Sequence, residues 1–211
     1  MEEIKMGIKV GIYGSSFDPI TNVHMFTANT VANRANLDKI VMNPCSNKRD
    51  DKTMQTSDEH RLNMLNLAIE GIDKFEVSDY EMKQEAWKVY SYLTMRHFRK
   101  LYPEDELYFI MGADLLVDIA EGKWKHTEEL ISENKFIVMA RDGIDMLKAI
   151  SSSPILRNYD DGRFHLMDKG LSMEISSTYI RDEFRMGGDP RHLLPEKCYD
   201  YAIQNNLYKN S

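Results

Sequence analysis

The residues best suited to chemistry fall in two short stretches, and the first spans residues 10–26, VGIYGSSFDPITNVHMF. A β-prone run leads into a glycine-serine turn, and Asp18-Pro19 favours a further turn before a helix. With Thr21 as the N-cap, His24 lies in the first helical turn, where unpaired backbone N–H groups and the positive end of the helix dipole attract anions. The pattern predicts a phosphate site. Equally, Thr21 could be a helix cap and nothing more, since the stretch contains neither a P-loop nor a G-x-G-x-x-G motif.

The second stretch spans residues 175–181, ISSTYIR, and three hydroxyl side chains open a predicted helix there. Ser176 is the expected N-cap. Arg181 then lies within the first turn and a half, where a cation at the positive helix end is disfavoured by about 0.3–1 kcal/mol. A bound anion would reverse the sign of that interaction. The stretch therefore predicts a second phosphate-binding helix start, with Gly187-Gly188 ending the helix.

Composition limits the class of protein. The chain has 211 residues, which we expect to form a single domain over 1–211, with a C-terminal helical segment at about 176–208. The net charge of −7 argues against a general nucleic-acid or membrane-surface partner. Cys45 and Cys198 lack any zinc or CxxC spacing, which favours reduced thiols. With no apolar leader or long apolar run, we expect a cytoplasmic protein.

Strand and helix patterns alternate along the chain. Strands are predicted at 10–13, 39–42, 75–77, 107–111, 136–140 and 163–167. The first predicted helix begins at Thr21 and has Phe26 on its apolar face. The second begins with a Thr56/Glu59 capping box and has an apolar stripe of Leu62, Leu65, Ile69 and Ile72. Further helices are predicted over 85–101, with a stripe of Tyr90, Leu93, His97 and Leu101, over 115–119, over 144–151, and up to about 207–208. This alternation predicts an α/β fold, with a Rossmann-like doubly wound parallel sheet and C-terminal helices.

Four further residues are candidates for ligand contacts. Lys48 lies in a polar loop after the second strand, a place where α/β proteins bind ligands, although such charged loops are most often solvated surface. Trp87 lies off its helix's predicted stripe, and Trp124 lies in a loop, so each could offer a flat apolar surface to a planar ligand. Asp114 follows the central strand and is either the N-cap of the next helix, or an acceptor for a ribose hydroxyl or adenine amino group, or both.

Together, the two helix starts resemble those of nucleotidyltransferases with (H/T)xGH and ISSTxxR motifs. The resemblance covers nearly the whole chain. SFDPITNVH, GADLL with Trp124 ten residues beyond Asp114, ISSTYIR and LLPEKCYDYAIQNNLY look like the nicotinamide/nicotinate mononucleotide adenylyltransferase family. Val23 stands where the common form of the first motif has glycine.

The resemblance implies a reaction and a set of ligands. The 5′-phosphate of nicotinate or nicotinamide mononucleotide would attack the α-phosphorus of ATP in line and release pyrophosphate, with Mg²⁺ carried by the ATP phosphates and no protein metal ligand. A phosphate is already anionic, so no general base is required. The implied catalytic residues are Thr21, His24 and Arg181. The implied ATP-binding residues are Gly14, Ser15, Ser16, Phe17, His24, Gly112, Asp114, Ser177, Thr178 and Arg181. The implied mononucleotide-binding residues are Ser16, Lys48, Trp87, Tyr90, Trp124 and Arg141.

Two alternatives belong beside this hypothesis. Phosphopantetheine adenylyltransferase shares an opening like SFDPITN but is disfavoured by chain length, by Trp124 and by the LY ending. A nucleotide-sensing module without turnover is disfavoured by the intact Thr21, His24 and Arg181. Both mononucleotides fit the pattern, and a homo-oligomer is compatible with it.

Overall fold

The computed structural model of the chain describes residues 7–49, 52–168 and 175–209, and six of its strands form one sheet. The strands are β1 (Lys9–Ser15), β2 (Lys39–Pro44), β3 (Phe75–Val77), β4 (Glu106–Gly112), β5 (Lys135–Met139) and β6 (Phe164–Met167). Their order is β3-β2-β1-β4-β5-β6, and the β1–β4, β4–β5 and β5–β6 pairs are parallel. Because the order runs outward from β1 in both directions, the predicted Rossmann-like, doubly wound α/β sheet is confirmed.

Helices separate the strands and follow the last one. They are α1 (Asn22–Arg34), α2 (Asp58–Ile69), α3 (Tyr80–Lys83), α4 (Ser91–Leu101), α5 (Ala113–Ala120), α6 (Thr127–Glu133), α7 (Met146–Ser152), α8 (Pro154–Asn158), α9 (Ser177–Arg185) and α10 (Glu196–Gln204), with a 3₁₀ turn at Ala86–Lys88. The predicted C-terminal helical segment corresponds to α9 and α10. Within the described ranges, no helix combines the length and the apolar composition that crossing a membrane requires.

The chain groups into two compact units. The first unit comprises the described residues of 1–13, 31–40 and 90–170. Its core lies on β4 and β5, where Ile110, Ile137 and Val138 are fully buried. Phe136 on β5 stacks on Phe164 of β6 with ring centroids 5.3 Å apart. These apolar runs are buried on both faces, as expected for central parallel strands.

The second unit comprises the described residues of 14–30, 41–89 and 171–211, and α2 packs against α10 within it. Met64 and Ala202 are fully buried, and the thiol of Cys198 donates to the carbonyl of Met64 at 3.0 Å. Burial raises the pKa of Cys198 to about 12, and burial with the nearby Glu81 carboxylate raises that of Cys45 to about 11. Both cysteines are buried free thiols, in agreement with the expectation of reduced thiols. The single domain over 1–211 stays a prediction.

The helix predicted over 85–101 is confirmed from Ser91 to Leu101 and is wrong before Ser91. The chain forms the 3₁₀ turn, leaves the helical conformation at Val89 and Tyr90, and only then begins α4. The carbonyl of Val89 accepts from the guanidinium of Arg49 at 3.5 Å, instead of from a backbone N–H one helical turn later in the chain. The buried face of α4 is formed by Thr94, Met95 and Phe98 rather than the predicted stripe, and Leu101 is 57% exposed.

The start predicted for α2 is off by one residue. Ser57, not Thr56, is the N-cap, and its hydroxyl accepts from the backbone N–H of His60 at 3.3 Å. The hydroxyl of Thr56 donates instead to the carboxylate of Asp18 at 2.7 Å. Ile72, the last residue of the predicted stripe, lies beyond α2 and is 39% exposed.

Other features of the predicted helices also differ from the structure. On α1, Phe26 is 43% exposed, and the buried positions are Ala28, Val31 and Ala32. The last helix ends at Gln204, short of the predicted 207–208, because Asn206 and Tyr208 adopt positive φ angles of 52° and 62°. The short helices α3, α6 and α8 were not predicted, although Pro154 at the first position of α8 with Ser153 as its cap is a recognisable start signal.

We predict that Ser57→Ala lowers the free energy of unfolding by about 1 kcal/mol, because it removes the side-chain acceptor of the first turn of α2. Urea denaturation would measure the change. Ser57→Asp is the matched control, since aspartate caps helices as well as serine. An unchanged midpoint for Ser57→Ala would contradict the capping role.

Candidate functional site

The turn after β1, counted here from Ser15 at the end of the strand to Ile20, is anchored by a buried arginine of α2. Arg61 is fully buried, and its Nη1 donates to the carbonyl of Ser16 at 2.7 Å. The same guanidinium pairs with Asp58, one turn earlier on α2. The preceding carbonyl, of Ser15, accepts from the backbone N–H of Cys45 at 2.9 Å. The sequence analysis missed Arg61, whose spacing from Leu65 places it on the buried stripe of an amphipathic helix.

The start of α9 binds two further carbonyls of the turn, those of Asp18 and Pro19. The hydroxyl of Ser177 donates to the carbonyl of Pro19 at 2.7 Å, across 158 residues of sequence. Nη1 of Arg181 donates to the carbonyl of Asp18 at 2.6 Å, and Nη2 donates to the hydroxyl of Thr178 at 3.0 Å. The two stretches identified in the sequence therefore meet at this turn.

Arg181 has a protein acceptor as well as an unused donor. The carbonyl of Asp18 compensates part of the charge of Arg181 at the positive end of α9. The position of Arg181 therefore does not by itself require the bound anion that the sequence analysis invoked. The Nε of Arg181 is buried and has no hydrogen-bond partner among the residues that the structure describes. The N-cap was predicted correctly, because the hydroxyl of Ser176 accepts from the backbone N–H of Tyr179 at 3.1 Å.

Thr21 and His24 hold each other at the start of α1. Thr21 is fully buried and its hydroxyl accepts from the backbone N–H of His24 at 3.2 Å, which confirms the predicted cap. The backbone N–H of Thr21 donates in turn to Nδ1 of the imidazole at 3.1 Å. Because Nδ1 is an acceptor here, Nε2 carries the ring proton, and Nε2 lies 3.4 Å from the hydroxyl of Ser15. Phe17 meets the imidazole edge to face at 5.0 Å, and Val23 is half-buried.

The loop after β2 is organised around a buried carboxylate. Glu81 of α3 is 3% exposed, accepts from the backbone N–H of Ser46 at 3.3 Å and pairs with Arg49 at 3.5 Å. Burial raises the pKa of Glu81, while the charge of Arg49 opposes that rise. Nζ of Lys48 donates to the carbonyl of Gln84 at 2.7 Å, so this ammonium is bound to the segment after α3. The sequence analysis named Lys48 but missed Glu81 and Arg49.

Trp87 lies on the surface of the second unit. Its side chain belongs to the 3₁₀ turn and is 65% exposed, so the expectation that it avoids the core is correct. The ammonium of Lys88 lies 4.4 Å above its ring. An exposed indole with one cation on its face keeps the other face available for a planar group.

The first unit brings together three of the predicted residues at the end of β4. Gly112, not Asp114, is the N-cap of α5, so the prediction of an Asp114 cap is wrong. Oδ2 of Asp114 lies 3.4 Å from Nη1 of Arg141, while Oδ1 is buried and accepts no hydrogen bond from any described residue. A Cβ at position 112 would lie 2.3 Å from that oxygen, so any larger residue there would displace the carboxylate.

Tyr90 and Trp124 also lie in the first unit. Tyr90 precedes α4, and its ring lies 5.2 Å from that of His126 and 5.8 Å from the ammonium of Lys125. Trp124 lies in the turn before α6, as predicted, and is partly buried, and its carbonyl accepts from the hydroxyl of Thr127 at 2.8 Å.

The predicted residues divide between the two units. The second unit holds Gly14, Ser15, Ser16, Phe17, Thr21, His24, Lys48, Trp87, Ser177, Thr178 and Arg181, and the first unit holds Tyr90, Gly112, Asp114, Trp124 and Arg141. Within the second unit, hydrogen bonds join the β1 turn directly to both helix starts, whereas Lys48 is bonded to the segment after α3.

The class of protein follows from comparison with known families. Residues 12–183 match the cytidylyltransferase-like family model, and the chain belongs to this family of nucleotidyltransferases. The relatives are more specific. The chain is 39% identical over 202 residues to a probable nicotinate-nucleotide adenylyltransferase of Clostridium tetani, covering 95% of this chain and 99% of the relative. A probable nicotinate-nucleotide adenylyltransferase of Clostridium botulinum (strain Kyoto / Type A2) is 33% identical, with 96% and 100% covered.

Solved structures agree with these relatives. The nicotinic acid mononucleotide adenylyltransferase of Plasmodium falciparum, complexed with NaAD, is 27% identical and superposes with a TM-score of 0.77, covering 95% of this chain and 97% of that one. The same enzyme complexed with APC gives a TM-score of 0.75 at 26% identity and the same coverage. The family resemblance expected from the sequence motifs is thus confirmed.

We predict that the second unit binds a polyphosphate through Arg181. Tripolyphosphate should raise the melting temperature of the protein, and Arg181→Met should weaken its binding by about tenfold or more, because a charge-assisted hydrogen bond is lost. Arg185→Met is the matched control, because Arg185 lies one turn further along α9 and pairs with Asp182 and Gln55. Equal binding by both variants would contradict the assignment.

Proposed function

We propose that this protein is a nicotinate-nucleotide adenylyltransferase, which joins ATP to nicotinate mononucleotide and releases pyrophosphate. The observation that carries the proposal is the turn after β1, to which two helix starts are bonded, one bearing Thr21 and His24 and the other Ser177 and Arg181. The relatives support nicotinate rather than nicotinamide as the base, because nicotinate is the base in their names.

The chemistry needs positioning and charge stabilisation more than proton transfer. The mononucleotide phosphate attacks the α-phosphorus of ATP, a P–O bond forms, and the bond to the β,γ-pyrophosphate breaks. The nucleophile is an anion near neutral pH, so no side chain has to remove a proton from it. Donors arranged in advance around the developing negative charge can supply most of the acceleration.

The second unit would hold the triphosphate. His24 would donate from Nε2 to a phosphate oxygen, since Nδ1 is occupied by the backbone N–H of Thr21. Arg181 would use its Nε, which has no hydrogen-bond partner among the described residues, and Thr178 would offer its hydroxyl. Ser177 would contribute a backbone N–H of the first turn of α9, while its hydroxyl stays on the carbonyl of Pro19. Gly14, Ser15, Ser16 and Phe17 would contribute the turn itself. Each group is fixed by the protein, so little reorganisation is needed when charge develops.

Other residues would hold the nucleosides. The unpartnered Oδ1 of Asp114, beside Gly112 and Arg141, suits a ribose hydroxyl or an amino group. Trp124 and Tyr90 would offer aromatic surface to the pyridine ring, as would Trp87 in the second unit. Lys48 would bind the mononucleotide phosphate only by leaving the carbonyl of Gln84.

Magnesium is proposed as a companion of ATP. Its preferred ligands are oxygens, and the phosphates supply them. The carboxylate of Asp18, which lies within the turn, already accepts from three protein donors and fits the role of a bound structural group rather than that of a metal ligand. When bound, the ion would neutralise charge on the leaving pyrophosphate. Cytoplasmic location, the lack of a nucleic-acid or membrane partner and the homo-oligomer stay predictions.

We expect pyrophosphate release from magnesium-ATP in the presence of nicotinate mononucleotide and no release without an acceptor. Parallel reactions with nicotinamide mononucleotide and with phosphopantetheine test the alternative acceptors. Release with phosphopantetheine alone would replace the proposed substrate. Binding of ATP without pyrophosphate release for any acceptor would favour the alternative of a nucleotide-sensing module.

His24→Ala is the variant that links this activity to the site. We expect its kcat to fall by about two orders of magnitude or more, since one preorganised donor to a developing charge is lost. His192→Ala is the matched control, because this exposed histidine accepts from the side chain of Asn22 through its backbone carbonyl, which the substitution keeps. An unchanged kcat for His24→Ala would contradict the role assigned to the imidazole.

We also predict that Trp124→Ala weakens binding of the mononucleotide by about tenfold while changing ATP affinity little, because an aromatic stacking surface is lost. Calorimetric titration of each ligand separately measures both. Trp124→Phe is the matched variant and should keep part of the affinity. Equal losses for both ligands would refute the stacking role.

A further inference from the structure

Asp18 is a buried carboxylate within the turn, and three donors from outside the turn hold it. Its Oδ2 accepts from the backbone N–H of Gln55 at 2.5 Å. Its Oδ1 accepts from the hydroxyl of Thr56 at 2.7 Å and from the phenol of Tyr208 at 2.9 Å. The residue is 2% exposed, so these bonds replace the water that the carboxylate lost on folding.

The backbone of the same residue orients Arg181, which is proposed to bind ATP. The carbonyl of Asp18 accepts from Arg181 at 2.6 Å, and the carbonyl of the next residue, Pro19, accepts from Ser177 at 2.7 Å. Fixing the side chain of Asp18 therefore fixes the acceptor that sets the direction of the Arg181 guanidinium. Geometry of this kind matters because a charge-assisted hydrogen bond depends strongly on distance and angle.

Tyr208 is held firmly enough to act as such an anchor. Its ring stacks on Phe184 of α9, with centroids 5.8 Å apart and planes inclined by 23°. Its φ of 62° lies in the left-handed region, which a bulky residue rarely occupies unless its surroundings demand it. Burial, and then the negative charge of Asp18, raise the pKa of Tyr208, so its hydroxyl keeps the proton that it donates.

We propose that Tyr208 is a positioning residue for the reaction: its hydroxyl fixes the Asp18 carboxylate and, through the Asp18 carbonyl, aims Arg181 at the triphosphate of ATP. The inference rests on the proposed function and extends it to a residue that touches no substrate. It implies that loss of the phenol hydroxyl impairs the ATP side of the site and leaves the mononucleotide side unchanged.

Tyr208→Phe tests the proposal in the full-length protein. We expect the affinity for magnesium-ATP, measured by calorimetry without mononucleotide, to fall by about tenfold, because one hydrogen bond to a charged group is removed. The KM for ATP should rise to a similar extent, whereas the KM for nicotinate mononucleotide should change by less than about twofold. Thr56→Val removes the other donor to the same oxygen and should act in the same direction.

Tyr199→Phe is the matched control. The ring of Tyr199 also stacks on Phe184, at 5.9 Å and 21°, and the guanidinium of Arg191 lies 5.4 Å from it. Removing its hydroxyl should leave both affinities unchanged. Melting temperatures of the two variants separate loss of stability from loss of positioning.

A double-mutant cycle with Arg181→Lys decides whether Tyr208 acts through Arg181. If it does, Tyr208→Phe should weaken ATP binding by less than about twofold in the Arg181→Lys background. Additive losses, or equal losses for ATP and mononucleotide, would overturn the proposal. If the unmodified protein bound ATP but released no pyrophosphate, the proposed function would fail, while the calorimetric cycle would still decide the role of Tyr208.

Discussion

Carbonyl oxygens repel phosphate, so a turn binds an anion more readily when its carbonyls are directed to other partners. In this protein the carbonyls of Ser15, Ser16, Asp18 and Pro19 all accept from protein donors, which are a backbone amide, two guanidinium groups and a hydroxyl. The donors come from Cys45, which directly follows β2, and from α2 and α9. The turn therefore depends on elements far apart in sequence, and both helix starts depend on the turn.

Buried charge is the cost of this arrangement. Arg61 and Asp18 lie within the second unit almost without exposure, and each is offset by hydrogen bonds to groups of the same unit. Removing one partner from such a set leaves an uncompensated charge, which destabilises a protein by about 3–5 kcal/mol for fully buried pairs. The proposed binding of a polyanion by a chain of net charge −7 then depends on local donors such as Arg181 rather than on an overall positive charge.

The sequence predicted those parts of the fold and site that local patterns determine. All six strands, the Thr21 and Ser176 caps and the off-core position of Trp87 follow from periodicity and from capping preferences. The parts that it did not predict depend on long-range partners. Thr56 looked like a cap, but its hydroxyl is used by Asp18, and the bond from Tyr208 to Asp18 spans 190 residues of sequence. The break at Val89, whose carbonyl accepts from Arg49, has no local signal either.

The partners of the turn also constrain the order in which the site can form. The carbonyls of Ser15 and Ser16 are bound by Cys45 and Arg61, whereas those of Asp18 and Pro19 are bound by Arg181 and Ser177, 163 and 158 residues further along the chain. Contacts between residues so distant in sequence form slowly, because the intervening chain must first be closed into a loop. The turn is therefore complete only when α9 has docked on it, so the two helix starts become a binding site together rather than one after the other.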